Sequence, residues 1–281
     1  MQENFVCFII KVLFIMGGIY MKLGLEGKNA IVAASSQGLG KAIAEELASN
    51  GANVMISSRN EQKLKALQQK WNEKLPGRIE WTRCDVTKPD DIQHLVERTA
   101  DVFGGIDILV NNAGGPPSGT FEEMTDDMWQ KAFELNLLSY IRMIRAALPY
   151  LKQNGGKIIN IASSSIKEPI PGLILSNTFR TGIVGLSKTL AMELAPYNIL
   201  VNTVAPGRIA TDRIIELDRI GAEKQGISIE EMSEIMKSKI PLGRYGKPQE
   251  FANVVAFLAS EANTYMTGSS FLVDGGMVRS I

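Results

Sequence analysis

The first residues that could do chemistry form a turn, Ala33-Ala34-Ser35-Ser36-Gln37-Gly38-Leu39-Gly40, set between an apolar run and an amphipathic one. Small residues let a backbone approach a phosphate closely, and the helix that follows offers unpaired N–H groups and the positive end of its dipole. The same residues would also serve as plain turn punctuation, so the chemistry depends on what surrounds them. Nucleophilic and metal chemistry are thinly supplied. The chain has one histidine, His94, so a Ser-His-Asp triad could be built only around it. It lies in the helical pattern Asp91-Ile-Gln-His-Leu-Val-Glu97, on the polar side with both acids, and reads as a solvated helix-face residue. The two cysteines, Cys7 and Cys84, can make neither a disulfide scaffold nor a thiolate zinc site, so no metal is expected and a reducing cytoplasm fits.

The elements that must position the turn are legible in the hydrophobic pattern. Over 281 residues, 45% are hydrophobic and 21% charged, which is ordinary for a globular protein and excludes a disordered chain. Thirty basic residues balance thirty acidic ones, so no bulk field favours nucleic acid or an anionic membrane. Short apolar runs at Lys28–Ala34, Asn53–Ser57, Arg78–Cys84, Asp107–Asn111, Lys157–Ala162, Ile199–Val204 and Ser270–Val273 predict strands. Helical spacing predicts helices at Gly38–Asn50, Glu61–Glu73, Pro89–Phe103, Asp126–Lys152, Asn177–Leu194 and Pro248–Ser260. Strands joined by helices of this length imply right-handed crossovers. The expected fold is therefore α/β: a single Rossmann-type, doubly wound parallel sheet with helices on both faces. Such a sheet binds ligands at the carboxyl ends of its strands, beside the first one, where the Ala33–Gly40 turn lies.

Taken in order, these segments resemble the short-chain dehydrogenase/reductases, closest in pattern to the β-ketoacyl-carrier-protein reductases. The likeness covers Leu25–Met277. Family members usually carry Thr-Gly-x-x-x-Gly-x-Gly in the first turn; here Ala33 and Ala34 replace the Thr and the first Gly, while Gly38 and Gly40 match. The resemblance implies cofactor contacts from Ala34, Ser35, Ser36, Gln37, Gly38, Leu39 and Gly40 in that turn. It adds Asp85 and Val86 in Cys84-Asp85-Val86, beside the adenine, and Asn111 and Ala113 in Asn111-Asn112-Ala113-Gly114. It further adds Ile209 and Thr211 in the Pro206-Gly207-Arg208-Ile209-Ala210-Thr211 loop over the nicotinamide. Pro241-Leu-Gly-Arg244 and Val273-Asp-Gly-Gly276 match the family's C-terminal signatures.

The catalytic positions depart from the pattern. Ser163 and Asn136 fit the family's serine and asparagine. The tyrosine expected thirteen residues after the serine is Ser176, and the lysine four beyond it is Arg180. Thr181-Gly-Ile-Val-Gly-Leu-Ser-Lys188 aligns without a gap, which fixes the register. A tyrosine hydroxyl, with a pKa of about 10, can give a proton to the substrate oxygen; an alkyl hydroxyl is a far weaker acid on a shorter side chain. Arg180 keeps the positive charge and can donate to ribose hydroxyls, but a guanidinium releases no proton near neutral pH. The alternative is that Ser176 and Arg180 are helix-start and ion-pair residues of a site without turnover. Other proton sources to weigh are Lys167 and Glu168, just after Ser163, and Tyr140, one turn beyond Asn136. Each could equally be a surface or subunit-contact residue.

Cofactor choice follows from one turn. NAD-preferring folds place a carboxylate at the end of the second strand for the ribose 2′-OH. This chain has Ile56-Ser57-Ser58-Arg59-Asn60, and Arg59 suits a 2′-phosphate, so NADP(H) is expected over NAD(H). Amphipathic runs between Asp212 and Lys239 correspond in position to the family's substrate lid. Their Met and Ile side chains would face the cleft or simply pack on the sheet.

Residues 1–20 differ from the rest, being almost wholly apolar from Phe5 to Met16. The run is short for a membrane span, which needs about 20 apolar residues, and lacks a signal peptide's basic start and cleavage site. The favoured expectation is a natural start at Met21, since Met16-Gly17-Gly18 can be encoded by a purine-rich stretch like a bacterial ribosome-binding site; an anchor or an ordered extension are the alternatives. The expected function is an NADP(H)-dependent, 3-oxoacyl-reductase-like oxidoreductase interconverting a carbonyl and an alcohol. By resemblance it would be a cytoplasmic homotetramer or homodimer with a small-molecule substrate and no nucleic-acid partner. The alternative is a dinucleotide-binding sensor or scaffold.

Overall fold

In the strand β1 (Asn29–Val32), Ala30 and Val32 face one way and Ile31 the other, and all three are fully buried. Neighbouring β4 (Ile108–Asn111) is buried along its whole length, as is β6 (Ile199–Pro206) up to its last residue. A strand with no solvent-facing side must have a layer of helices on each face. The computed structural model, which describes residues 22–280, has that arrangement.

The remaining strands are β2 (Asn53–Ser58), β3 (Ile79–Arg83), β5 (Gly156–Ile161) and β7 (Ser270–Val273). All seven are parallel, in the order β3-β2-β1-β4-β5-β6-β7. The order reverses between β1 and β4, which opens a crevice above their carboxyl ends. On one face α1 (Gly38–Ser49), α2 (Glu61–Asn72) and α9 (Pro248–Ala259) cover Val32, Ile56 and Ile159 with Ile43, Leu47, Leu64, Phe251 and Val255. On the other, α3 (Pro89–Phe103), α5 (Ser139–Asn154) and α6 (Ile174–Glu193) cover Ile31, Met55, Leu109 and Val201 with Leu95, Met143, Ala147 and Ala191. The α7 (Asp212–Gln225) and α8 (Ile229–Ser238) helices form the lid between β6 and α9.

The expected strands are all present, and the doubly wound topology holds. The long helix expected over Asp126–Lys152 is not continuous. It is α4 (Asp126–Phe133), a π turn at Glu134–Leu138, and then α5. The helix expected from Asn177 begins three residues earlier, at Ile174. His94 is exposed on α3, as expected of a solvated helix-face residue. No helix among the described residues is long and apolar enough to cross a membrane, and none of their His, Cys, Asp and Glu side chains gather into a metal-binding group. The expectations for residues 1–20 lie outside the described residues.

Candidate active site

One open cleft of about 1940 Å³ runs along the carboxyl ends of the strands, from Arg59 and Asp85 at one end to Arg213 and Met236 at the other. That exceeds a typical small-ligand pocket and leaves room for a dinucleotide with a second molecule beside it. Its floor is the turn after β1. Ser35 is fully buried and anchors that turn: its N–H donates to Ser57 O at 2.8 Å, its Oγ donates to Val32 O at 2.7 Å, and Oγ accepts Ser57 N–H at 2.9 Å. Asn112 Nδ2 donates to the carbonyls of Ala33 and Ala34, each at 3.2 Å. Gly40 packs under the turn, where a Cβ would lie 2.4 Å from Ala34 O, so only glycine fits. Ala34 adopts φ +49°, a left-handed conformation that favours glycine. Gln37 caps α1 with no side-chain hydrogen bond, which leaves the first-turn N–H groups facing the cleft without a capping side chain. Ala34, Ser36, Gln37, Gly38 and Leu39 line that part of the wall; Ser35 and Gly40 stand behind it.

At the end of β2, Arg59 lines the cleft together with Lys63, whose Nζ donates to Gln37 Oε1 at 2.7 Å. Asp85 faces them, and Val86 completes this end of the cleft. Burial works against the Asp85 carboxylate, but donation from the Thr87 N–H and hydroxyl, with the Arg59 charge nearby, holds its pKa below the ordinary value.

The centre of the site rests on a buried polar chain. Asn111 Nδ2 donates to Asn160 Oδ1 at 2.8 Å, Asn160 Nδ2 to Ser187 Oγ at 2.9 Å, and Thr203 Oγ1 to Ser187 Oγ at 3.0 Å. Asn111 therefore braces the sheet, and its neighbours Asn112 and Ala113 line the cleft. Asn136 sits within the π turn, fully buried; its Nδ2 donates to Gly114 O at 2.7 Å while its Oδ1 has no donor. Ser163 and Ser176 both line the cleft. The Ser163 Oγ accepts Ser165 N–H at 3.2 Å, which leaves its own proton free to be donated.

Arg180 is the unexpected part. It is only 5% exposed and forms no salt bridge among the described residues. Its Nη1 donates to Ile161 O and to the Tyr140 hydroxyl, both at 2.8 Å, and its Nη2 donates to Ala113 O at 3.2 Å. Tyr140 in turn donates to Ile161 O at 2.7 Å. Tyr140 is thus neither a cleft residue nor a surface one. It lies beneath Arg180 in the core, and burial raises its pKa despite the nearby guanidinium. Among the described residues no tyrosine lines the cleft. Lys167 is exposed and off the cleft wall, while Glu168 does line it and accepts Arg279 N–H at 3.2 Å.

The loop after β6 brings Ile209 and Thr211 to the cleft and ties the lid to it. Arg208 pairs with the buried Asp218 of α7 at 2.5 Å, and the Tyr245 hydroxyl donates to the same carboxylate at 2.7 Å. The lid's apolar residues divide between the two expected uses: Leu217, Ile220 and Met236 line the cleft, whereas Met232 is buried against Gly221. Sequence reasoning missed Lys63, which helical spacing from Asn60 could have suggested, and Arg213, whose position carried no signal.

With this geometry in view, comparison with known proteins is decisive. A family model described as enoyl-(acyl carrier protein) reductase matches residues 33–278. Human dehydrogenase/reductase SDR family member 4 is 38% identical over 257 residues, spanning 90% of this chain and 88% of that one. The chain belongs to the short-chain dehydrogenase/reductase family. This short-chain dehydrogenase/reductase is also 37% identical over 258 residues to the 3-oxoacyl-[acyl-carrier-protein] reductase of Aquifex aeolicus, spanning 92% of this chain and all of that one. Among solved structures it is similar to L-sorbose reductase from Gluconobacter frateurii complexed with NADPH and L-sorbose, with a TM-score of 0.88, 34% identity, and 93% and 100% of the two chains covered. It is accordingly an oxidoreductase, which disfavours the sensor or scaffold alternative.

Proposed function

We propose that this short-chain dehydrogenase/reductase interconverts a carbonyl and an alcohol with NADP(H) in preference to NAD(H), in the manner of a 3-oxoacyl reductase. The observation that carries the cofactor choice is the end of β2. Arg59 and Lys63 flank the cleft there, at the place where an NAD-specific fold would have a carboxylate. The residues fit the cofactor in two further respects. The uncapped first turn of α1 suits a pyrophosphate, and Gly38, at φ +58°, has only Thr211 near the position of a Cβ, at 3.9 Å. When bound, NADP(H) supplies or accepts the hydride.

In the reducing direction the carbonyl carbon gains the hydride and the oxygen gains a proton. Ser163 donates its free hydroxyl proton in a hydrogen bond to that oxygen. Ser176, whose Oγ has no hydrogen-bond partner among the described residues, lines the same cleft. Arg180, held by two carbonyls and Tyr140, stabilises negative charge developing above it. With no phenol at the cleft wall among the described residues, the proton reaches the substrate through the serine hydroxyls from water. Fluorescence titration with NADPH and NADH, paired with NADPH consumption on a ketone panel, tests the reading. Arg59→Ala should weaken NADPH about tenfold to a hundredfold and leave NADH nearly unchanged. Equal weakening of both would refute the assignment of Arg59 to the 2′-phosphate.

A further inference from the structure

Arg213 has no part in the function proposed above. It lies in the first turn of α7, and its guanidinium crosses to the loop after β4. There it rests over Gly115, so that a Cβ on that glycine would be 3.1 Å from Nε and 3.2 Å from Nη2. Nη2 donates to Pro116 O at 2.8 Å, which fixes the plane of the group. Arg213 thus lines the cleft against the loop after β4, in the same cleft as Leu217, Ile220 and Met236 of the lid.

This guanidinium makes no salt bridge among the described residues. Asp212, its neighbour in α7, lines the same cleft without an ion pair among the described residues, and Glu216, one turn on, is held by Arg219 with contacts of 2.8 and 2.9 Å. Glu134 and Glu168 also line the cleft, and they accept Gln130 Nε2–H and a main-chain N–H respectively. Arg180 approaches from below, also with neutral partners only. Burial lowers the pKa of Arg213, opposed by the pull of Glu216 and reinforced more weakly by the Arg180 charge. Two guanidiniums from different elements thus line one partly desolvated cleft, neither in a salt bridge among the described residues, an arrangement that an anion would relieve. The same cleft carries the Ser163 and Ser176 side chains.

We propose that Arg213 is a specificity-determining residue that binds a carboxylate of the substrate, so that the enzyme acts on oxo acids whose carboxylate lies a few bonds from the carbonyl. This rests on the carbonyl-reductase reading above. The planar fork of Arg213 has Nε–H and remaining Nη protons to offer, which suits a carboxylate bound through both oxygens. The apolar lid residues would then cover the hydrocarbon part of the substrate.

The test is calorimetric titration of the full chain saturated with NADP+, using 2-oxo-4-phenylbutanoate and its ethyl ester as probes. The acid should bind at least about tenfold more tightly than the ester. Arg213→Gln should remove most of that preference and Arg213→Lys should retain part of it, with NADPH affinity changed less than about twofold in both. Equal binding of acid and ester, or a preference that survives Arg213→Gln, would overturn the assignment. So would a parallel loss of NADPH affinity, which would make Arg213 a cofactor residue, and so would absence of binding by either probe at millimolar concentration. Failure of the wild-type chain to bind NADPH would overturn the parent reading as well, and is seen separately in the titration without probe.

Discussion

Removing one hydroxyl, in Tyr140→Phe, tests whether Arg180 is held from below. That hydroxyl donates to Ile161 O at 2.7 Å and accepts from Arg180 Nη1 at 2.8 Å, on a side chain only 2% exposed. The substitution leaves no carbonyl without a donor, because Arg180 Nη1 also reaches Ile161 O. What is lost is one bond to a charged group, about 1.5–3 kcal/mol, and one neutral bond, about 1 kcal/mol. For a domain of this size each kcal/mol shifts Tm by about 2–4 °C, so a drop of roughly 5–16 °C is expected. The decisive measurement is a double-mutant cycle with Arg180→Met, read by thermal and urea unfolding. In the Arg180→Met background, loss of the hydroxyl should cost only the neutral bond. The coupling between the two sites should therefore be about 1.5–3 kcal/mol. Additivity to within about 0.5 kcal/mol would refute the coupling and leave Tyr140 as plain core packing.

Three other outcomes are expected. Ser176→Tyr with Arg180→Lys should raise reduction of simple ketones at least about tenfold, with neither single change sufficient, because it places a general acid where Ser176 opens on the cleft; a slower double variant would show that the wild-type serine–arginine pair carries its own mechanism. Ala34→Gly relieves a left-handed alanine, about 1–2 kcal/mol, against about 0.4–1 kcal/mol of added unfolded-chain entropy, so Tm should rise, by up to about 6 °C; a fall would mean that the methyl packs usefully. Burial pushes the Cys84 thiol up from 9.0 to about 12, so peptide mapping after alkylation at pH 8 should find it unmodified in the native protein. In the unfolded chain the same thiol loses its proton from about pH 9, so its contribution to stability is complete below that pH and declines as pH rises toward 12; Cys84→Ala should flatten that decline.

The sheet was readable because strands buried on both faces leave unbroken apolar runs, as at Ala30–Val32 and Ile199–Val204. The turn after β1 was readable for a similar reason: Gly38 at positive φ and Gly40 packed under Ala34 O are under strong local constraint. Adjacency in sequence does not reveal which way a side chain turns. Ser35, Gly40, Asn111 and Asn136 all belong to the right segments, yet they stand behind the cleft wall and brace it. Tyr140 was placed on the face of Asn136 by counting α-helical turns, and the π turn between them breaks that count. Arg213 was invisible because its position depends on how α7 folds over the β4 loop, a long-range contact with no local pattern.

The π turn at Glu134–Leu138 also has a meaning in terms of reading frame. It accommodates one residue more than an α-helical path would, so α4 and α5 are out of phase by about 100°. Trp129 and Phe133 can therefore meet Phe179, at ring separations of 5.7 and 6.0 Å, while Tyr140, Met143, Ala147 and Leu151 face the interior. Deleting a single residue here, such as Leu137, would restore a regular helix and swing every later side chain of α5 off its partner. Tyr140 would leave Arg180, and Met143 and Leu151 would leave the sheet. At this one place a loss of one residue would do the damage of many substitutions, whereas the same loss in the exposed Glu122–Glu123 turn would be absorbed locally.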